Sequence, residues 1–188
     1  MKRPTSEARQ RLLATADRLF YAEGIRSVGI DRIIAEAGVA KMTLYSHFPS
    51  KDDLIVAVLE YREAQVLEFF ASAVERHRAN HRDDLQAFFA ALKEWFASPG
   101  FRGCAFQNAA VELADPDHPG TQFVRGHKLR FTGIVRGFVE AAVGKSAQKL
   151  AAMIALLVEG AAVTAVVRGT PESADVAREA AMVLIGAA

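Results

Sequence analysis

Apolar residues recur along this chain at helical intervals, and no stretch alternates as a strand would. Over residues 29–37, Ile30, Ile33, Ile34 and Ala37 share one face, which predicts a short helix. Gly38 follows, a residue that tolerates the left-handed conformation at a helix end. Val39 is placed to plug the corner beyond it. A second short helix is predicted over 40–47, with Leu44 and Phe48 four residues apart as its apolar seam. Lys41, Met42, Thr43, Tyr45, Ser46 and His47 then fall on outward or flanking positions. A thin seam with a donor-rich outer face suits a helix-turn-helix whose second helix enters a DNA major groove.

The remaining chain continues the helical pattern. A first helix is expected over about 6–22, with Leu12, Leu13, Ala16, Leu19 and Phe20 as its stripe and Thr5 or Ser6 as its cap. Lys2 and Arg3 ahead of it form a basic arm that can reach a phosphate or the minor groove. Pro49 blocks the second short helix, and Ser50 with Asp53 forms a capping box for a long helix over 51–77. Lys51 lies in its first turn, where the helix dipole disfavours a cation unless an anion such as a DNA phosphate lies outside. Further helices are expected over about 85–97, 104–114, 121–143, 147–168 and 171–185, punctuated by Ser98-Pro99-Gly100, Asp115-Pro116, Gly144 and Gly169. Asp83 or Asp84 is the cap for the first of these. The expected fold class is all-α, with a helix-turn-helix head over 1–53 and a larger helical domain over 54–188 for ligand binding and dimerisation.

The last two helices are the most apolar part. LAAMIALLVEGAAVTAVV is apolar nearly all round, so both its faces should be covered. Glu159 and Gly160 at its centre and its alanine content favour a helix buried in protein over a membrane span. Alanine and glycine permit close helix approach, so the helices near 147–168 and 172–185 are expected to form half of a four-helix bundle across a two-fold axis. Ala161 and Ala165 are the small residues placed in that seam.

Bulk properties add little. The chain has 188 residues, 51% of them hydrophobic, and a net charge of +1. Residues 1–53 hold nine Lys/Arg and seven acids, a surplus of two that would not by itself suggest DNA binding. A single cysteine excludes an intrachain disulfide and fits a reducing, cytoplasmic setting. The first ten residues lack an apolar signal-peptide core.

Three features of the larger domain invite chemistry. Cys104, Asn108 and Glu112 share a helical face, although a plain solvent side has the same pattern. His127 interrupts the stripe Phe123, Phe131, Ile134, Phe138, where a satisfied core histidine is the plainer reading. Trp95, Phe106 and Phe131 belong to an aromatic supply suited to an apolar or aromatic ligand. The candidate ligand-binding set is therefore Trp95, Phe106, Asn108, Glu112, His127 and Phe131. No ordered signature supports a thiol-protease trio or a metal site, so neither catalytic residue, metal nor cofactor is expected.

AEAGVAKMTLYSHFPSKDDL resembles the DNA-binding signature of the TetR (tetracycline-repressor) family, over residues 5–59. The AGV turn, the TLYxHF core and the following SK carry the resemblance. RGCAFQNAAVELADPDHPG also looks like a segment of some members. The resemblance implies a homodimer on a palindromic operator, and a second domain that binds a small-molecule inducer and releases DNA. It also implies a phosphate contact at the start of the second helix, where relatives often carry a hydroxyl residue. Val28 stands there, with Ser27 the nearest hydroxyl, and Ile34 replaces a usual alanine. The expected DNA-binding set is Ser27, Val28, Lys41, Met42, Thr43, Tyr45, Ser46, His47 and Lys51. The function expected is a DNA-binding regulator, most simply a repressor. The alternative is an all-α enzyme or a metal-responsive sensor using Cys104, Glu112 and His127.

Overall fold

The computed structural model describes residues 7–81, 83–144 and 147–187. The basic arm of Lys2 and Arg3 and the Thr5 or Ser6 cap lie outside the described residues. Among the described residues the chain is all-α: α1 (Glu7–Glu23), α2 (Ile30–Ala37), α3 (Lys41–His47), α4 (Lys51–Arg78), α5 (Asp84–Phe96), α6 (Ala105–Leu113), α7 (Pro119–Val143), α8 (Gln148–Arg168) and α9 (Ser173–Gly186).

The chain divides into two compact units, residues 1–65 with 105–126, and residues 66–104 with 127–188. A boundary after residue 53 would fall inside α4. The first unit instead carries the start of α4 and takes in α6 and the start of α7. Sequence order hid this, because α6 follows α5 in the chain but packs with the head.

In the first unit, Leu12, Ala16, Leu19, Val28, Ile33, Leu44 and Leu54 lose all exposure and form the core of the head. Gly38 ends α2 at φ 62°, a left-handed conformation that costs glycine little. The capping box is reciprocal: the Asp53 N–H donates to Ser50 Oγ at 3.0 Å, and the Ser50 N–H donates to Asp53 Oδ2 at 3.0 Å. Asp17 and Arg62 make a bidentate pair at 2.6 and 2.7 Å that ties α1 to α4. The Arg62 guanidinium also lies 4.4 Å from the Tyr21 ring centre. Burial pushes the Asp17 carboxyl above its ordinary value, and Arg62 pulls the other way.

In the second unit, Leu85, Phe88, Phe89, Val135, Val139, Ile154 and Val158 pack with a set of alanines from α8 and α9. The Asp83 side chain caps α5, accepting from the Gln86 N–H at 2.9 Å. Aromatic rings run in contact from Phe69 through Phe70 and Trp95 to Phe101. Phe88 stacks on Phe138 at 5.4 Å.

By length and composition α8 is apolar enough to cross a membrane. Its alanine face, however, is buried in the core, and Glu159 pairs with Lys128 at 3.3 Å. Ala161 and Ala165, 6% and 3% exposed, lie on this inner face, and the Ala161 carbonyl accepts from Ser173 Oγ at 2.8 Å. The small residues therefore serve the close approach of α8 to α9 within one chain, not an outer seam. Leu156, Val163 and Val167 on α8, with Val176 and Val183 on α9, remain exposed.

Candidate nucleic-acid interface

α3 is anchored by Leu44, which is fully buried, and stopped by Phe48, which is nearly so. The helix is only seven residues long, so one anchor fixes which side faces outward. Met42 projects with 79% of its surface exposed and Tyr45 with 40%. Lys41 and Ser46 are exposed, while Thr43 and His47 are half-buried. Ser46 Oγ donates to the Thr43 carbonyl at 2.8 Å, which holds its hydroxyl against the helix. Lys41 Nζ donates to Asp31 Oδ1 of α2 at 3.1 Å, and that hydrogen bond holds the ammonium above the usual lysine value. Behind the two helices, Arg32 bridges Glu23 and Glu36, and Arg18 also reaches Glu36, so α1 and α2 are latched by a charged network.

Two expected contacts differ in the structure. Val28 is fully buried, so its side chain is core and has no exposed surface to offer a phosphate. Ser27 beside it is exposed. The N-cap of α2 is Gly29, which makes no side-chain cap bond. Lys51 turns inward: Nζ donates to the Ile25 carbonyl at 2.7 Å and lies 5.9 Å from the Phe20 ring centre. Partial burial lowers its pKa, against the pull of Asp52 and Glu112. One of the three donors of the Lys51 ammonium is thus engaged by a loop carbonyl.

Asp31 and Arg9 were not singled out from sequence. Arg9 holds its guanidinium 5.2 Å from the Phe48 ring centre, at the end of α3. Neither has a helical spacing to α3, because a turn or a whole helix intervenes, and only the fold brings them there.

The six expected ligand residues do not gather in one unit. Phe106, Asn108 and Glu112 fall in the first, and Trp95, His127 and Phe131 in the second. Phe106 is buried. Asn108 and Glu112 line a narrow cleft with Tyr21, Ile55 and Arg62. Its cavity volume of about 30 Å³ has room for about two water molecules and none for a drug-sized ligand. Glu112 Oε2 accepts from the Arg26 N–H at 3.3 Å, and the Arg26 side chain donates to the Leu113 carbonyl at 3.0 Å. Glu112 thus secures the loop between α1 and α2. In the second unit Trp95 and Phe131 join the aromatic cluster, and His127 is 6% exposed. Cys104 and His127 lie in a different unit from Glu112, and no group of three His, Cys, Asp or Glu among the described residues is placed to hold a metal.

Comparison with known proteins places this geometry. Residues 12–58 match the family model described as bacterial regulatory proteins, tetR family. The chain is 36% identical to SCO4454, a TetR-family transcriptional regulator from Streptomyces coelicolor, over 96% of this chain and 95% of that one, with a TM-score of 0.83. It is 27% identical to the HTH-type transcriptional repressor NemR of Escherichia coli strain K12, over 61% of this chain and 58% of NemR. It is 34% identical to the HTH-type transcriptional activator FasR of Mycolicibacterium smegmatis, over 50% of this chain and 41% of FasR. The chain thus spans little more than half of NemR and less than half of FasR. With a head built as α2, turn and α3, and with 96% of its length matched to SCO4454, the chain belongs to the TetR family of transcriptional regulators.

Proposed function

We propose that this protein is a cytoplasmic, homodimeric transcriptional regulator that binds a palindromic DNA operator and, acting as a repressor, is released from it by a small-molecule effector. The observation that carries the reading is the outer face of α3. Lys41 and Met42 stand exposed on a helix whose only fully buried side chain is Leu44. Lysine pairs with guanine O6 and N7, and an apolar tip contacts the thymine methyl. Thr43 and His47 flank them as base or near-base contacts, while Tyr45, Ser46 and Ser27 serve phosphates and position the head.

Two-fold pairing follows from the exposed apolar face of α8 and α9, since a palindrome is read by a protein with matching symmetry. The effector of this reading is an apolar or aromatic small molecule received by Trp95, Phe131 and His127 of the second unit. The reading assigns the protein no catalytic step and no cofactor.

Electrophoretic shift with the DNA upstream of the protein's own gene tests the proposal. A discrete complex that resists excess unrelated DNA is the expected result. Equal competition by unrelated DNA would leave an unspecific binder and remove the regulatory reading.

A further inference from the structure

The second unit holds a cleft of about 410 Å³ between the end of α4, the outer side of α5 and the start of α9. Its volume falls within the range of about 300–1,000 Å³ typical of small-molecule sites. None of the six ligand residues expected from sequence lines it. Phe89, Ala90, Ala97 and Pro171 give it apolar walls. His77, His81, Lys93, Glu94, Asp175 and Arg178 give it polar ones.

The polar groups are arranged with donors in surplus. Lys93 Nζ donates to Asp175 Oδ2 at 2.5 Å, and an Arg178 terminal nitrogen lies 3.8 Å from Asp175 Oδ1. One carboxylate is thus shared by two cations. On the opposite side Glu94 is engaged by His77 Nε2 at 2.9 Å and by Arg76 at 2.6 Å. The His81 ring packs edge-on against His77 at 6.0 Å. Glu172, whose carboxyl is lowered first by a hydrogen bond with Thr170, then by a backbone hydrogen bond and less by Lys93, brings the nearby formal charge into balance. Charge alone therefore selects nothing, but hydrogen-bonding capacity does. Glu94 accepts from two partners and Asp175 from Lys93 alone, Arg178 lying beyond hydrogen-bond reach at 3.8 Å, whereas an ammonium has three donors and a guanidinium five. The guest that completes such a site is an acceptor with no donor to offer, and the apolar walls require a hydrocarbon body beside it.

We infer that the cleft between α5 and α9 binds a small organic carboxylate, with its carboxylate on Lys93 and Arg178 and its apolar body against Ala90, Ala97 and Pro171. None of Trp95, Phe131 and His127 lines this site, and its occupancy is read without DNA.

Benzoate and its neutral analogue benzamide are the probes, titrated into the full-length protein with amide and side-chain NMR shifts as the readout. Benzoate should saturate, with shifts centred on residues 89–97 and 171–178, and benzamide should bind at least tenfold more weakly. Ala90→Phe, which fills the cleft without touching an ion pair, should abolish the benzoate shifts there. Lys93→Gln with Arg178→Gln should weaken benzoate at least tenfold, and a circular-dichroism melt shows whether that variant is folded. Equal binding of the two probes to the wild type, or benzoate shifts centred elsewhere, would overturn the assignment without any variant. Loss of operator binding in the separate shift assay would overturn the regulatory reading and leave this one standing.

Discussion

Leu156→Arg separates the outer face of α8 from its inner face. Leu156 is 72% exposed in the single chain, so arginine there meets solvent and leaves the chain's own core intact. In a two-fold dimer each protomer contributes the same position, so every loss counts twice. Fully burying a leucine stabilises by about 1.5–3 kcal/mol, and the exposed share of Leu156 therefore forfeits about 1–2 kcal/mol per protomer. Two such losses, about 2–4 kcal/mol, weaken dimerisation roughly 30- to 1,000-fold before the desolvation of two arginines is added. Sedimentation equilibrium over a concentration series reads this directly. The variant should be monomeric at micromolar concentration, keep its helical circular dichroism and lose cooperative operator binding. Ala161→Arg should behave differently, since Ala161 is 6% exposed inside the chain: it should lower the stability of the monomer itself. An unchanged dimer constant in Leu156→Arg would show that this face is not the interface.

Arg62→Met should destabilise the first unit by about 2–4 kcal/mol at pH 7.5, the cost of stranding a buried carboxylate discounted for the 12% and 21% exposure of the two side chains. Without Arg62 only burial acts on Asp17, so its native carboxyl lies above the ordinary 3.8 and binds its proton more tightly than the unfolded chain does. Stability contributed by that proton is present below the unfolded value and lost as pH rises through the raised native one. The urea deficit should therefore shrink on acidification, and a deficit independent of pH would refute the pairing argument. Lys51→Gln should cost about 1–2 kcal/mol by freeing the Ile25 carbonyl, and should leave the salt dependence of operator binding unchanged. A fall of about one unit per half-site in the slope of log K against log salt would instead put Lys51 on a phosphate.

What was legible in the sequence was local. Ile30, Ile33, Ile34 and Ala37 announced α2 by period, Gly38 its end, and Ser50 with Asp53 the start of α4, because each signal lies within a few residues of its effect. The rest depended on which distant segments meet. The dipole at its helix end points Lys51 to an anion, yet the fold also gives it a carbonyl 26 residues away that no local pattern announces. Asn108 and Glu112 carried the pattern of a pocket face, but α6 packs with the head, where Glu112 secures the loop after α1. Ala161 and Ala165 correctly signalled close helix approach. Composition could not say whether the neighbour was α9 of the same chain or a second copy.

On the proposed function, α3 reads base edges through residues its single anchor turns outward. Fluorescence anisotropy at fixed salt, with the palindromic upstream site and each single-base-pair variant of one half-site, tests it for the wild type and Lys41→Ala. The wild type should lose about 1–3 kcal/mol at each of a few contiguous pairs. Lys41→Ala should flatten that penalty at one guanine position and keep it at the others. A wild type that binds every variant and a scrambled duplex alike, or a Lys41→Ala protein that loses affinity uniformly across them, would contradict the account.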